Sequence, residues 1–201
     1  MATNPLASWE SFVARAGSIA ARATSFLEAT GCAFEAEHSA GVVAEARRIA
    51  LRYGVDPEQA EAGAWLHDVS APIPSAERIA LAEALGIEVL PEERTFPMIV
   101  HQRISAVMAR DLFGVTDLAV LSAIGCHTTL KPGATPLDMT VFCRRQDRLG
   151  PARRAAVSAG ALDCAGRLAR SRQLGLPRPP LAASRRAARA PSLGGRRVRR
   201  S

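Results

Sequence analysis

The first 143 residues predict an all-α fold, a bundle of helices around one core. Alanine is abundant there, β-branched residues form no alternating runs, and no Asn-Gly hairpin signal is present. The spacing of apolar residues and helix stops gives about six or seven helices, which suits a compact bundle. We expect residues 1–143 to form one domain and residues 144–201 to form a tail.

The first predicted helices follow from glycine stops and capping residues. One long helix is expected over residues 8–30, ending at Gly31. A second is expected from near His38 to Tyr53, where apolar residues repeat at three-and-four spacing. Gly54 stops this helix, and Asp56-Pro57 then supplies an N-cap and an N1 proline for the next, "PEQAEAGAWLHD".

The remaining helices are predicted in the same way. The loop "SAPIPSAER" leads into a short helix that ends at Gly86. A longer helix runs from about Pro97 to the residues before Gly114. Asp117 caps "LAVLSAIGC", and "LDMTVF" begins a last buried helix after the turn "LKPGATP".

Charge divides the chain into two parts. Residues 1–143 contain 10 Lys and Arg against 17 Asp and Glu, a net charge of −7, whereas residues 144–201 contain 16 Arg against two Asp, a net charge of +14. The tail contains no Ile, Met, Phe, Tyr or Trp, so we expect it to be disordered. Its arginines would attract nucleic acid without specificity, and it lacks the aromatic residues that stack on bases.

No secretory signal or membrane-spanning segment is predicted. The N-terminus "MATNPLASWESFVARAG" has early charges and no apolar run of the required length. The cysteines are scattered and form no CxxC pair, which is typical of reduced thiols in a cytoplasmic protein. They are Cys32, Cys126, Cys143 and Cys164.

The histidines are the strongest chemical signal in the chain. Each lies near one end of a successive predicted helix, and helix ends in a bundle can converge on one cavity. His67-Asp68 follows the apolar "AGAWL", so both polar groups are expected to be buried, where a metal ion can satisfy them. Taken singly, a histidine beside an apolar stretch is more often a hydrogen-bonded core residue than a metal ligand. The four are His38, His67, His101 and His127.

Four segments, in order, resemble the motifs of the HD superfamily of metal-dependent phosphohydrolases. They are "EHSAGVVAEARRIALRYGVD", "AGAWLHDVS", "FPMIVHQRISAVMARDLFGV" and "LSAIGCHTTLKPGATPLDMTVF". Within this superfamily they are most similar to the YqeK branch, the symmetrical diadenosine tetraphosphate hydrolases. The resemblance covers roughly residues 28–142 and implies an HD-domain helical bundle.

The resemblance implies two transition-metal ions, divalent or mixed-valence, with iron favoured over manganese. The implied ligands are His38, His67, Asp68, His101 and His127, with Asp68 bridging the metals as the catalytic residue. The neighbouring Thr128, Thr129 and Lys131 are expected to bind phosphate. Helix-end hydrogen bonding explains the threonines equally well, and a solvated turn explains the lysine equally well.

The sequence departs from the family after Phe142. The family pattern has an aspartate ligand where this chain has Arg145, and Asp147 lies two positions away, about 200° around a helix. With CGN arginine codons, a one-base shift over "CRRQD" permits Val-Ala-Asp-Lys-Ile, which returns an aspartate to position 145. We therefore favour a frameshifted C-terminus over a nucleic-acid-binding arm.

The predicted function is metal-dependent hydrolysis of a nucleotide phosphoanhydride, with symmetrical cleavage of diadenosine tetraphosphate to ADP implied by the resemblance. Two alternatives stay open: another HD nucleotide phosphatase or phosphodiesterase, and an HD protein that binds nucleotide without turnover. A small nucleotide substrate is the expected partner, with no membrane and no specific nucleic acid. The sequence leaves the oligomeric state open, and a homodimer is compatible with it.

Overall fold

The predicted all-α bundle is confirmed in the part of the chain that the structure describes. The computed structural model describes residues 4–146, with side chains described through Phe142. These residues form helices and no strand. The helices are α1 (Ala7–Glu10), α2 (Ile19–Ala29), α3 (Ala33–Tyr53), α4 (Pro57–Leu66), α5 (Arg78–Ala84), α6 (Pro91–Thr95), the 3₁₀ turn Pro97–Val100, α7 (His101–Asp111), α8 (Leu118–Gly125) and α9 (Pro136–Gln146). The predicted disordered tail from residue 147 onward lies outside the described residues.

The N-terminal segment forms two helices, so the prediction of one helix over residues 8–30 is wrong. Gly17 interrupts it with φ 110°, a conformation that side-chain-bearing residues rarely adopt. Ser18 then caps α2, since its Oγ accepts a hydrogen bond from the backbone N–H of Ala21 at 3.2 Å. A new helix therefore begins where the alanine-rich sequence indicated a continuous one.

Helices α3 and α4 form a tightly packed pair whose ends follow the predicted signals. Gly54 ends α3 in a left-handed conformation with φ 71°, and the Asp56 carboxylate accepts a hydrogen bond from the backbone of Glu58 at 2.8 Å. Helix α3 begins at Ala33 rather than near His38. As a result, His38 lies in the second turn of a 21-residue helix.

The core is closed by α7, α8 and α9, which pack against α3 and α4. Its fully buried large side chains include Phe26, Leu66, Ile104 and Ile124. Gly63 allows α4 and α9 to approach, because a Cβ atom at this position would lie 3.1 Å from a methyl group of Val141. Among the described helices, none combines the length and the hydrophobicity that a bilayer-spanning segment needs.

Neither α6 nor the 3₁₀ turn was predicted from the sequence as an element separate from α7. Residues 91–95 form α6, in which Glu93 accepts a hydrogen bond from the backbone N–H of Leu90 at 2.9 Å. A 3₁₀ turn then covers residues 97–100, so that α7 begins at His101. This turn places the imidazole of His101 at the start of a helix that is packed into the bundle.

Candidate metal centre

The bundle gathers all five predicted metal ligands into one cluster. His38 lies in α3, His67 and Asp68 follow α4, His101 opens α7, and His127 lies two residues after α8. The ring centroids are 5.4 Å apart for His38 and His67, 5.1 Å for His67 and His127, and 4.9 Å for His101 and His127. Four separate helices therefore contribute to one site.

Asp68 occupies the middle of the cluster, with one carboxylate oxygen toward each side. Its Oδ2 lies 3.1 Å from Nε2 of His67, whereas its Oδ1 lies 3.2 Å from Nε2 of His101 and 3.4 Å from Nε2 of His127. Two groups of three can each hold a metal ion, with ligand atoms within 4.8 Å of one another: His38, His67 and Asp68, and Asp68, His101 and His127. Asp68 is the one residue that belongs to both of these groups.

Three of the histidines are held in one tautomer by the same local contact. In His67 and His127, Nδ1 lies 2.7 Å from the carbonyl oxygen three residues earlier, and His101 makes the same contact. A carbonyl oxygen only accepts, so Nδ1 carries the proton and donates it. Each Nε2 therefore keeps its lone pair, which is the form of imidazole that binds a metal.

The Nε2 lone pairs of His101 and His127 point at each other, an arrangement that a cation between them would stabilise. Nε2 of His101 lies 3.1 Å from Nε2 of His127, although neither carries a proton in the tautomer set by the carbonyl contacts. An added proton is disfavoured at neutral pH, since burial lowers the pKa of His127 to about 4 despite the opposing effect of Asp68. Imidazole nitrogens with a shared carboxylate fit a transition-metal ion.

Asp68 is the carboxylate of the cluster, and its side chain is more exposed than those of His67, His101 and His127. Its side chain is 21 % exposed, whereas those of His67 and His127 are 1 % and 0 % exposed. The site therefore opens to solvent beside the carboxylate.

Two buried serines, which the sequence did not single out, connect the ligand-bearing segments. Ser70 Oγ donates to the backbone carbonyl of His101 at 3.0 Å, and Ser105 Oγ donates to Ser70 Oγ at 2.8 Å. The backbone N–H of Ser70 donates to Ser105 Oγ at 3.2 Å. This network ties the turn after Asp68 to the first turns of α7, and its partners are 35 positions apart in the chain, so no local sequence signal indicated it.

The two threonines predicted to bind phosphate lie next to the cluster. Thr128 Oγ1 is 3.3 Å from Nε2 of His101. The buried Gln102, also missed, holds this segment: its Oε1 accepts from the backbone N–H of Thr128 at 2.9 Å, and its Nε2 donates to Thr129 Oγ1 at 2.9 Å. Thr129 is exposed, so Thr128 is the hydroxyl that the structure brings to the histidines.

The polar contacts of Lys131 among the described residues are with Asp138 and Ser122, and not with the histidine cluster. Its ammonium group is 3.4 Å from a carboxylate oxygen of Asp138 and donates to Ser122 Oγ. Asp138 is fully buried and also accepts from Ser122 Oγ at 2.6 Å. The side chain at position 145 and all of Asp147 lie outside the described residues.

Four imidazoles and one carboxylate, brought together by packed helix ends, form a site in a helical bundle that could hold a metal ion. The spacing of the chain's motifs and its bundle are those of one large family of proteins. The chain belongs to the HD domain family, whose model matches residues 36–174. This match confirms the predicted superfamily and the predicted class of HD-domain hydrolase, and HD domains bind divalent metal ions.

Several relatives and one solved structure are similar to this chain. It is 47 % identical over 88 residues to a protein in the pepC 5′ region of Lactococcus lactis subsp. cremoris, covering 44 % of this chain and 45 % of the relative. It is 31 % identical over 107 residues to the symmetrical bis(5′-nucleosyl)-tetraphosphatase of Bacillus subtilis (strain 168), covering 52 % and 56 %. The alignments thus span about half the length of these relatives.

The fold is also found in a solved structure. A predicted HD superfamily hydrolase involved in NAD metabolism from Clostridium acetobutylicum aligns with a TM-score of 0.65 and 24 % identity. The alignment covers 77 % of this chain and 84 % of the solved one. At this identity the likeness establishes the shared bundle alone.

Proposed function

We propose that this protein hydrolyses a phosphoanhydride bond of a nucleotide, with symmetrical cleavage of diadenosine tetraphosphate to ADP as the reaction. The observation that carries the proposal is the position of Asp68, one carboxylate oxygen facing each of two histidine groups. The likeness to a symmetrical bis(5′-nucleosyl)-tetraphosphatase supports the choice of substrate. Because such nucleotides are intracellular, a cytoplasmic location is part of the same proposal.

Two transition-metal ions, iron in preference to manganese, complete the proposed site. His38 and His67 would hold one ion, His101 and His127 the other, and Asp68 both. Bound ions of this kind activate water and neutralise charge on phosphoryl oxygens. The protein's own part is to fix the ligands through the carbonyl contacts, to keep the imidazoles buried and to leave the carboxylate side open to substrate.

The proposed substrate contacts come from the segment after His127. Thr128 places a hydroxyl beside the histidines, from where it can donate to a phosphoryl oxygen. Thr129 is exposed and is held by Gln102 on the same segment. Lys131 would contribute a phosphate contact only by leaving its ion pair with Asp138.

A direct test measures the products of the full chain after anaerobic reconstitution with Fe²⁺ or with Mn²⁺. We expect diadenosine tetraphosphate to yield ADP alone, as resolved by anion-exchange chromatography. Formation of AMP with ATP would contradict symmetrical cleavage. Turnover restricted to nucleoside monophosphates or cyclic nucleotides would favour another HD phosphatase, and nucleotide binding without turnover by the metal-loaded chain would favour a non-catalytic protein.

An exposed aromatic side chain near the site supports a nucleotide substrate. Phe34 is 74 % exposed and lies one turn before His38 on α3, so both residues lie on one face of the helix. An aromatic ring exposed beside a phosphate-cleaving site can stack on a base, a contact worth about 1–3 kcal/mol.

We expect Phe34→Ala to raise KM for diadenosine tetraphosphate by about 10-fold and to leave hydrolysis of inorganic tripolyphosphate unchanged, because both have phosphoanhydride bonds and only the dinucleotide has a base to stack. Leu51→Ala is the matched control, since Leu51 is 66 % exposed on the same helix. Steady-state kinetics with both substrates make the comparison. Equal losses on both substrates would show that Phe34 does not contact a base.

A further inference from the structure

Arg78 is a buried cation that has no carboxylate in contact among the described residues. Arg78 is the first residue of α5 and is 7 % exposed. Nε donates to the carbonyl oxygen of Ile73 at 3.1 Å, and Nη1 points at the sulfur of Met98 at 2.7 Å. Among the described residues no carboxylate is in ion-pair contact with the guanidinium. Because a buried charge is costly unless it is paired, this arrangement indicates a site for an anion.

The place of that anion is covered by a weak acceptor. The Met98 sulfur receives the Arg78 donor and also Ser75 Oγ, at 3.3 Å. A thioether accepts hydrogen bonds poorly, so two good donors converge where a far better acceptor would bind. Met98 is 53 % exposed and its unbranched side chain has three rotatable bonds, so it can leave this position at little cost.

The guanidinium contacts two segments of the chain that lead to the candidate metal centre. Ile73, its carbonyl partner, is in the turns that directly follow Asp68, and the backbone carbonyl of Met98 holds Nδ1 of His101. Burial lowers the pKa of Arg78, while the Asp68 carboxylate acts in the opposite direction. Both segments that border Arg78 therefore lead directly to a metal ligand.

We propose that Arg78 and Ser75 bind a second phosphate of the substrate, next to the phosphate at the metal centre, once Met98 has moved aside. This inference deepens the proposed function, on which it rests, by assigning the site to phosphoanhydrides rather than to phosphomonoesters. Arginine suits the role because its planar fork can donate two parallel hydrogen bonds to one phosphate.

The test compares two ligands that differ only in phosphate number. Isothermal titration calorimetry of the Mn²⁺-loaded full chain, with equal Mn²⁺ in both solutions, measures the affinity of ADP and AMP. We expect Arg78→Met to weaken ADP binding by about 10- to 100-fold and AMP binding by less than about twofold, with unchanged metal content. Ser75→Ala should weaken ADP binding by a few fold (roughly 2- to 5-fold).

The Ser75 variant and two further variants keep the test decisive. Ser75 is exposed, so Ser75→Ala reports on the site even where Arg78→Met fails to fold. Met98→Ala should strengthen ADP binding, because it removes the side chain that covers the donors. Arg94→Met is the matched control, since Arg94 is exposed and pairs with Glu83 at 2.5 Å; it should change neither affinity.

The inference is overturned if Arg78→Met and Ser75→Ala leave ADP binding unchanged, or if Arg78→Met weakens ADP and AMP equally. It is also overturned if the wild-type chain binds ADP no more tightly than AMP. Binding requires no turnover, so a chain that discriminates ADP through Arg78 but releases no ADP from diadenosine tetraphosphate would contradict the proposed function alone.

Discussion

Replacing Asp68 by asparagine is expected to remove most of the bound metal and nearly all activity. The substitution takes away the one negative charge among the described ligands and leaves a single oxygen where two face the histidines. An amide NH₂ group would also point at an imidazole lone pair. The loss of metal affinity should exceed the 10- to 100-fold that outer-shell partners cost, and turnover should fall below detection.

Metal content measured by plasma mass spectrometry after Fe²⁺ or Mn²⁺ loading tests this expectation, together with the increase in melting temperature that metal gives. Asp111→Asn is the matched control, because Asp111 is a surface residue paired with Arg110 at 2.6 Å. The control should load metal as the wild-type chain does. Full loading of Asp68→Asn would show that the carboxylate is not a shared ligand.

The parts of the fold that could be predicted are those encoded locally. Gly54 and Asp56 end one helix and begin the next within three residues, and Asp117 caps α8, so each signal acts without the rest of the chain. The break at Gly17 was missed because alanine-rich flanks favour a helix, whereas Ser18 favours a new cap. Local signals competed there, and the alanine-rich composition led to the wrong prediction of one continuous helix.

The residues that form the cluster could be predicted from the sequence, but the way in which they are arranged could not. His67-Asp68 beside an apolar run indicated burial, which the structure has for His67. The contacts that orient the site join distant residues, such as Ser70 with Ser105, and have no sequence pattern. Arg78 was missed for the same reason: an arginine in "SAERIA" reads as solvent-exposed, and only the packing of Ile73 and Met98 around it reveals a buried cation.

Position 145 on α9 is where the family resemblance implies one more metal ligand. Helix α9 packs against α4, and Val141, one turn before position 145, contacts α4 at Gly63, one turn before His67. The family resemblance requires an aspartate at position 145, where this chain has arginine. A single carboxylate leaves two divalent ions under-neutralised, so a second one should raise metal binding.

We therefore expect Arg145→Asp to raise the metal content of the chain measured at limiting metal and to increase turnover by about 10-fold or more. Arg144→Asp is the matched control, because it makes the same change of charge about 100° around the helix. A chain whose reading frame is restored after Phe142 should gain as much metal as Arg145→Asp and should also aggregate less. If Arg145→Asp and the restored chain bind no more metal than Arg144→Asp, position 145 is not a ligand position and the frameshift proposal loses its chemical basis.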